Sequence, residues 1–299
     1  MGGTVADVLS NLELSGLPDA QVNGVFFSED FEEYADKDSI YLRAKIDTPL
    51  RFYDVPLDHL KLKLIGLDSE IYLRDVQFGY ADGIANARAD ILSIESETPE
   101  MRFKMSLRDA NQAKAIESIP STDKNSPTTP EAEYEDPARV SGLLDLDIHA
   151  KGPLDDLYGF QGYGIMEIRN EAMGSIQLLG PLSQILQNTV FNFTSFDLNH
   201  IHNIFEIDRE QLIIKDLRIN GPRTRISATG TFQLPDQALD MDVRVSLFAN
   251  AGNPNSAINA LGRAIALPLP NLLSFRLTGT VQNQRIRSRL DPRNLLPSF

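Results

Sequence analysis

From Leu239 to Leu247 the chain alternates without a break: Leu239, Met241, Val243, Val245 and Leu247 are apolar, while Asp240, Asp242, Arg244 and Ser246 between them are polar. A period of two belongs to a half-buried strand with one greasy face and one wet face. The residues before it carry the same signature. Gln211 to Asn220 and Arg225 to Leu234 are β-rich, Gly221-Pro222-Arg223-Thr224 separates them, and Pro235-Asp236-Gln237 supplies a turn after the second. Residues Ile204 to Leu247 therefore predict an antiparallel meander, amphipathic across its thickness.

Upstream the alternation recurs. Two short β-like runs between Val8 and Phe27 flank Gly16-Leu17-Pro18-Asp19, and Glu29 to Asp38 is an acidic loop. Ile40, Leu42, Ala44 and Ile46 alternate with Tyr41, Arg43 and Lys45, and Leu60, Leu62 and Leu64 with Lys61 and Lys63. Ile71 to Phe78 and Ile84 to Ile91 predict a hairpin around Ala81-Asp82-Gly83. Met101, Phe103, Met105 and Leu107 mark one more strand, after which Asp109 is the expected N-cap of a short helix through Ala113 and Ile116, stopped at Pro120.

Downstream, Leu144, Leu146 and Ile148 alternate with Asp145, Asp147 and His149, and Gly152-Pro153 ends that strand. Phe160 to Ile168 reads as a glycine-interrupted strand, and Leu272 to Val281 and Gln284 to Leu290 close the chain as strands. Two helical patterns interrupt this series. Pro181 stands at a first helical position ahead of the stripe Leu182, Ile185, Leu186 and Val190, and a second stripe runs from Asn255 or Ser256 through Ile258, Leu261 and Ile265 to Pro268.

One segment has almost nothing to bury. Pro120 to Pro137 holds Pro, Ser, Thr and acidic residues, with Ala132 and Tyr134 as its burial-capable side chains. It divides the chain into an N-terminal β lobe (1–119), a linker (120–138) and a C-terminal lobe (139–299). The lobes repeat each other. Glu70 to Phe78 matches Gln211 to Ile219 in pattern, with Arg74-Asp75-Val76 and Lys215-Asp216-Leu217 in register 141 residues apart, from 75 to 216.

Composition narrows the class. The 299 residues allow a substantial core, and 42% hydrophobic residues mark a globular chain whose longest apolar stretches fall short of a membrane-spanning helix. With 28 Lys and Arg against 42 Asp and Glu, the net charge of −14 repels phosphates, which argues against nucleic acid as a partner. Cysteine is absent, so disulfides and thiolate metal sites are excluded, in keeping with an oxidising compartment. Met1-Gly2-Gly3 leads straight into polar sequence without an apolar signal region, which fits either a cytoplasmic protein or a chain lacking its native start.

About a dozen strands with apolar faces and only three short helices pose a burial problem. Two packed sheets, a closed barrel, or an open sheet curled into a trough filled by lipid chains each solve it. Here the motifs add information. Ser141 to Leu157 (SGLLDLDIHAKGPLDDL), Gly162 to Ile168 (GYGIMEI), Leu178 to Leu186 (LLGPLSQIL), Phe205-Glu206-Ile207, Asp216 to Ile219, Gly230-Thr231-Phe232 and Phe275 to Val281 follow one another in order. This series resembles the C-terminal region of the AsmA-like family, over Val140 to Leu296 and, through the repeat, more loosely over Ile40 to Ile119.

The resemblance implies a mainly β fold of curved antiparallel sheets around an apolar groove, a β-taco, with a few short amphipathic helices and two related lobes. It implies a periplasmic envelope protein of Gram-negative type, related to the TamB and bridge-like lipid transfer families, anchored in the inner membrane by an N-terminal helix absent from this chain. Phospholipid or another acyl-chain lipid is the implied partner, bound or transferred between inner and outer membranes. The expected groove wall is Leu144, Leu146, Ile148, Leu212, Ile214, Leu217, Ile219, Ile226, Phe232, Leu239, Met241, Val243 and Val245. The expected lid is Leu182, Ile185, Leu186, Ile258, Leu261 and Ile265. The alternative is a scaffold or assembly factor for outer-membrane proteins with a dry β-sandwich core.

No residue pattern argues for an enzyme, a cofactor or a metal. His200 and His202 share a strand face but no third ligand is evident. Asp145 and Asp147, like Asp240 and Asp242, lie on the wet parity of their strands, where solvated carboxylates are ordinary. Gly162-Tyr163-Gly164 lacks the third glycine of a dinucleotide loop and marks a bulge or bend within a strand. No nucleophile elbow, HExxH metal motif or phosphate-binding loop occurs. Arg285, Arg287 and Arg289 form a basic stripe on the last strand, read as a solvated face.

Overall fold

Alternating apolar residues become strands nearly throughout. The structure, a computed structural model, describes residues 12–25, 39–52, 55–67, 69–94, 96, 98–118, 142–169, 199–221, 224–247, 273–280 and 283–288. Among the described residues it is mainly β, 78% strand against 4% helix, and its antiparallel sheets are not closed into a barrel. The linker 120–138 and the two predicted helices at 181–190 and 255–266 lie outside the described residues, and with them the lid residues Leu182, Ile185, Leu186, Ile258, Leu261 and Ile265.

The chain forms two compact units, Met1–Gly164 and Ile165–Phe299. In the first, β1 (Leu12–Leu14), β4 (Leu50–Phe52) and β5 (Val55–Leu57) form a small sheet in the order β1-β4-β5. The large ladder of this unit runs β2 (Asp19–Val25), β3 (Ser39–Ile46), β6 (Leu60–Leu67), β7 (Glu70–Tyr80), β8 (Gly83–Leu92), β9 (Glu100–Asn111) and β10 (Leu143–Pro153), and ends on the first half of β11 (Gln161–Arg169). Although β10 follows the linker in sequence, it pairs with β9 from Leu143 opposite Asn111 to Pro153 opposite Glu100. The second unit starts from the other half of β11 and runs in chain order through β12 (His200–Asp208), β13 (Gln211–Asn220), β14 (Thr224–Gln233), β15 (Ala238–Leu247), β16 (Leu273–Thr280) and β17 (Gln284–Ser288).

The predicted hairpin is present. Tyr80 pairs with Gly83 across a two-residue turn in which Ala81 (φ 50°) and Asp82 (φ 63°) are both left-handed, the type I′ geometry that matches strand twist. The helix after β9 begins later than Asp109. Strand pairing carries β9 on to Asn111, and α1 (Gln112–Glu117) takes Asn111 as its cap, whose Oδ1 accepts from the Lys114 amide at 3.2 Å. Asp109 is instead a strand residue at φ 53°, its amide donating to Asp145 Oδ1 at 2.9 Å. Pairing with β10 overrides the local capping preference at this position.

Three strands slip phase by one residue, each at a basic-Asp pair. In β7 the apolar positions change from Ile71 and Leu73 to Val76, Phe78 and Tyr80 across Arg74-Asp75, where the pairing with β8 skips. In β13 they change from Leu212 and Ile214 to Leu217 and Ile219 across Lys215-Asp216. In β9, Leu107 pairs with Leu146 and Ala110 with Leu144, so Arg108-Asp109 stand opposite Asp145 alone. Each is a β-bulge, two residues facing one, and each keeps the apolar residues on one face.

In two of them an arginine clamps carbonyls of both strands, and in all three the basic residue reaches an acid on the partner strand. Arg74 Nη1 donates to the carbonyls of Leu73 and its partner Ala89, both at 3.0 Å, and pairs with Asp90 at 2.6 Å. Arg108 Nη1 donates to Leu107 O at 2.8 Å and Leu146 O at 3.3 Å, while Nη2 forks onto Asp147 at 2.7 and 2.9 Å. Lys215 lacks the fork but reaches the corresponding acid, Glu206, at 2.8 Å.

Among the described residues no helix is long and apolar enough to cross a membrane.

Candidate functional site

Within the second unit the bulge in β13 brings all ten predicted wall residues onto one face. They fall into cross-strand rows. Ile201, Ile219, Ile226 and Val245 form the first; Asn203, Leu217, Ala228, Val243 and Phe275 the second; Phe205, Ile214, Gly230, Met241, Leu277 and Ile286 the third; Ile207, Leu212, Phe232 and Leu239 the fourth. Cross-strand apolar pairs of this kind are the unit of sheet stabilisation. Gly230, at φ +152°, is required for close approach: a Cβ there would stand 2.6 Å from Met241 Cα.

Burial is uneven along these rows. Ile226 and Val243 are 0% and 1% exposed, whereas Leu212, Phe232 and Leu239 in the fourth row are half-buried. The opposite face is polar and ion-paired: Arg276 forks onto Asp240 at 2.7 and 2.6 Å, Lys215 meets Glu206, and His202 Nδ1 meets Glu167 at 3.2 Å.

The rows also hold residues that the expected wall did not include, Ile201, Phe205 and Ile207 of β12 and Phe275 and Leu277 of β16 among them, and one of these additions is polar. Asn203 occupies apolar parity between Ile201 and Phe205, and its Oδ1 is buried without a hydrogen-bond partner. Leaving such a group unpaired costs about 1–3 kcal/mol. Its signal was visible as a polar residue breaking the apolar register of β12.

In the first unit Leu144, Leu146 and Ile148 share a face with Ala110, Leu107 and Met105 of β9, which in turn oppose the small residues Ala85 and Ala87 of β8. Leu144 and Leu146 pack against the buried cluster Ala85, Leu107 and Ala110. Elsewhere this face is already covered by protein. Ile46, Leu50 and Leu57 form a core with Leu12, Val55, Leu60, Phe78 and Tyr80, so the small sheet closes over part of the large one. The Tyr80 hydroxyl donates to Ala115 O at 3.0 Å, which ties α1 to the same edge.

The remaining candidates have ordinary partners. Asp147 of the first unit is held by Arg108, and Asp240 of the second by Arg276. His200 and His202 share the polar face of β12, and no group of three or more side chains able to hold a metal occurs among the described residues. Gly162 sits inside a continuous strand, where a Cβ would overlap the His149 carbonyl and stand 2.7 Å from Ala150 Cα. Arg285 and Arg287 are exposed on β17, and Arg289 lies outside the described residues. Asp75 has a carboxyl held below the usual carboxylate range, first by its hydrogen bond from Lys63 and then by that ammonium's charge.

No family model, curated protein or solved structure matches this chain.

Proposed function

We propose that the chain is the periplasmic part of an AsmA-like envelope protein whose apolar sheet face holds the acyl chains of phospholipid, for binding or transfer between inner and outer membranes. The observation that carries this reading is the set of apolar rows crossing β12 to β16 on one face of a sheet that does not close into a barrel. Such a face has to be covered, and hydrocarbon chains cover it without leaving any polar group unpaired. Asn203 supplies one polar point in the wall, suited to the ester or hydroxyl of an amphiphile. The role is binding rather than catalysis, and the envelope location rests on the family resemblance alone.

A second reading has its own support. The near-complete burial of Ile226 and Val243 is what a dry core produces, and it favours a scaffold or assembly factor for outer-membrane proteins. Organic extraction of the purified protein, followed by mass spectrometry, separates the two. The lipid reading expects stoichiometric phospholipid in the wild type and its loss from Phe232→Asp and Leu239→Asp, both still folded because these half-buried wall positions are open to a removable ligand. A dry core expects no lipid, and an unpaired buried carboxylate costing about 3–5 kcal/mol unfolds the unit. Asp240→Ala, on the wet face beside Arg276, is the near-neutral control. Lipid-free wild type together with unfolded Leu239→Asp sinks the lipid reading.

A further inference from the structure

The outer edge strand of each unit is defended differently. β17 carries Arg285 and Arg287, charges of the kind that blunt an edge against pairing. β2 (DAQVNGV) has no Lys, Arg or Pro, and it pairs with β3 in unbroken register from Asp19 opposite Lys45 to Val25 opposite Ser39, without a bulge. All seven of its residues are exposed, Val22 at 61%, and among the described residues no strand pairs with its outer edge. A flat, exposed edge of this length is a template for another strand.

The sequence of β2 indicates which strand. Set antiparallel to itself about Val22, it places Val22 opposite Val22 of the second copy, Ala20 opposite Gly24, Gln21 opposite Asn23 and Asp19 opposite Val25. Val22 meets Val22, the small Ala20 and Gly24 meet each other, the neutral amides of Gln21 and Asn23 meet on the opposite face, and the one carboxylate faces Val25 rather than itself. A shift of one residue sets Val22 against Gln21 or Asn23, and a shift of two keeps parity but trades the Val22 pair for Ala20 or Gly24 and shortens the overlap from seven residues to five, so the Val22-centred register is favoured. Val22 also continues, through Leu42, the apolar side of β3, so the pairing extends one hydrophobic face from copy to copy.

We propose that the chain associates with a second copy of itself through the outer edge of β2, in an isologous antiparallel pair centred on Val22. The inference does not depend on the lipid reading. Seven residues of edge bury less than a standard interface, so the dimer is concentration-dependent. With −14 on each copy it tightens as salt rises.

The absence of cysteine makes the register directly testable on the full chain. Val22→Cys introduces a single thiol on the two-fold axis, within bonding reach of its copy. Leu17→Cys, at a site 97% exposed, places two thiols about 30 Å apart in the same dimer. Mild oxidation should yield covalent dimer for the first and little for the second. In sedimentation equilibrium, Gln21→Lys with Asn23→Lys sets like charges opposite one another and should raise the dissociation constant about tenfold or more. Gln21→Lys with Asn23→Glu sets opposite charges together and should restore dimerisation, now weakened by salt. All four positions are solvent-exposed in the monomer, so unfolding does not obscure the result. Three outcomes overturn the proposal: equal crosslinking at positions 17 and 22, association that the double-lysine variant leaves intact, or growth beyond a dimer.

Discussion

Replacing Arg108 by Ala tests whether the basic residue of each bulge holds the bulge together. Arg108 and Asp147 are 46% and 44% exposed in their side chains, so the ion pair itself contributes only about 0.5 kcal/mol. The carbonyls are the larger part. The 2.8 Å bond to Leu107 O is charge-assisted and contributes about 1 kcal/mol, the 3.3 Å bond to Leu146 O about 0.5, after allowance for solvent. Arg108→Ala should therefore cost about 2 kcal/mol. Arg108→Lys keeps the pair and loses the fork, at about 1–1.5 kcal/mol. Asp147→Ala loses the pair alone, at about 0.5 kcal/mol. Urea unfolding with an unchanged m-value measures these differences. Arg102→Ala is the control, since the ion pair Arg102 makes is with Glu100 on its own strand and clamps no bulge, and its cost should stay within about 0.5 kcal/mol. Arg74→Ala should match Arg108→Ala, because Arg74 makes the same three contacts. If Asp147→Ala costs as much as Arg108→Ala, or if Arg108→Ala is no worse than Arg102→Ala, the carbonyl clamp is refuted.

Two further expectations follow from backbone and charge. Asp75→Asn keeps a side chain that tolerates φ 47° and removes the charge that Lys63 stabilises. Because the folded carboxyl titrates below its unfolded value of about 3.9, its contribution is present above that pH and is lost as pH falls through the folded pKa. The thermal unfolding curves of wild type and variant should accordingly differ near pH 7 and converge in acid, and a gap independent of pH would contradict the assignment. Ala81→Asn relieves a left-handed alanine in the type I′ turn and should stabilise by about 0.5–1 kcal/mol, seen as a higher Tm, whereas a lower Tm would mean that packing of Ala81 against the Leu107 cluster outweighs the turn.

Parity is a local property, and the sequence carried it in full. Leu239 to Leu247 alternate because successive side chains point to opposite faces, so β15 and its wall residues could be placed without knowing any neighbour. The phase slips at Arg74-Asp75, Arg108-Asp109 and Lys215-Asp216 are written in the sequence as well, as one-residue breaks in the apolar register. Reading each as a bulge needed the partner strand, because a bulge is defined by two residues facing one. The α1 cap moved from Asp109 to Asn111 for the same reason, since β10 extends the strand past a locally good capping residue. The three-residue strands β4 and β5 were too short to show a period, yet they place Leu50 and Leu57 in a core over β6 and β7. Exposure was equally beyond sequence. Val22 and Val243 sit at the same parity in similar strands, but one is 61% exposed at an edge and the other 1% exposed between two neighbours. Which face a side chain takes follows from its own backbone, whereas its burial depends on residues far away in the chain.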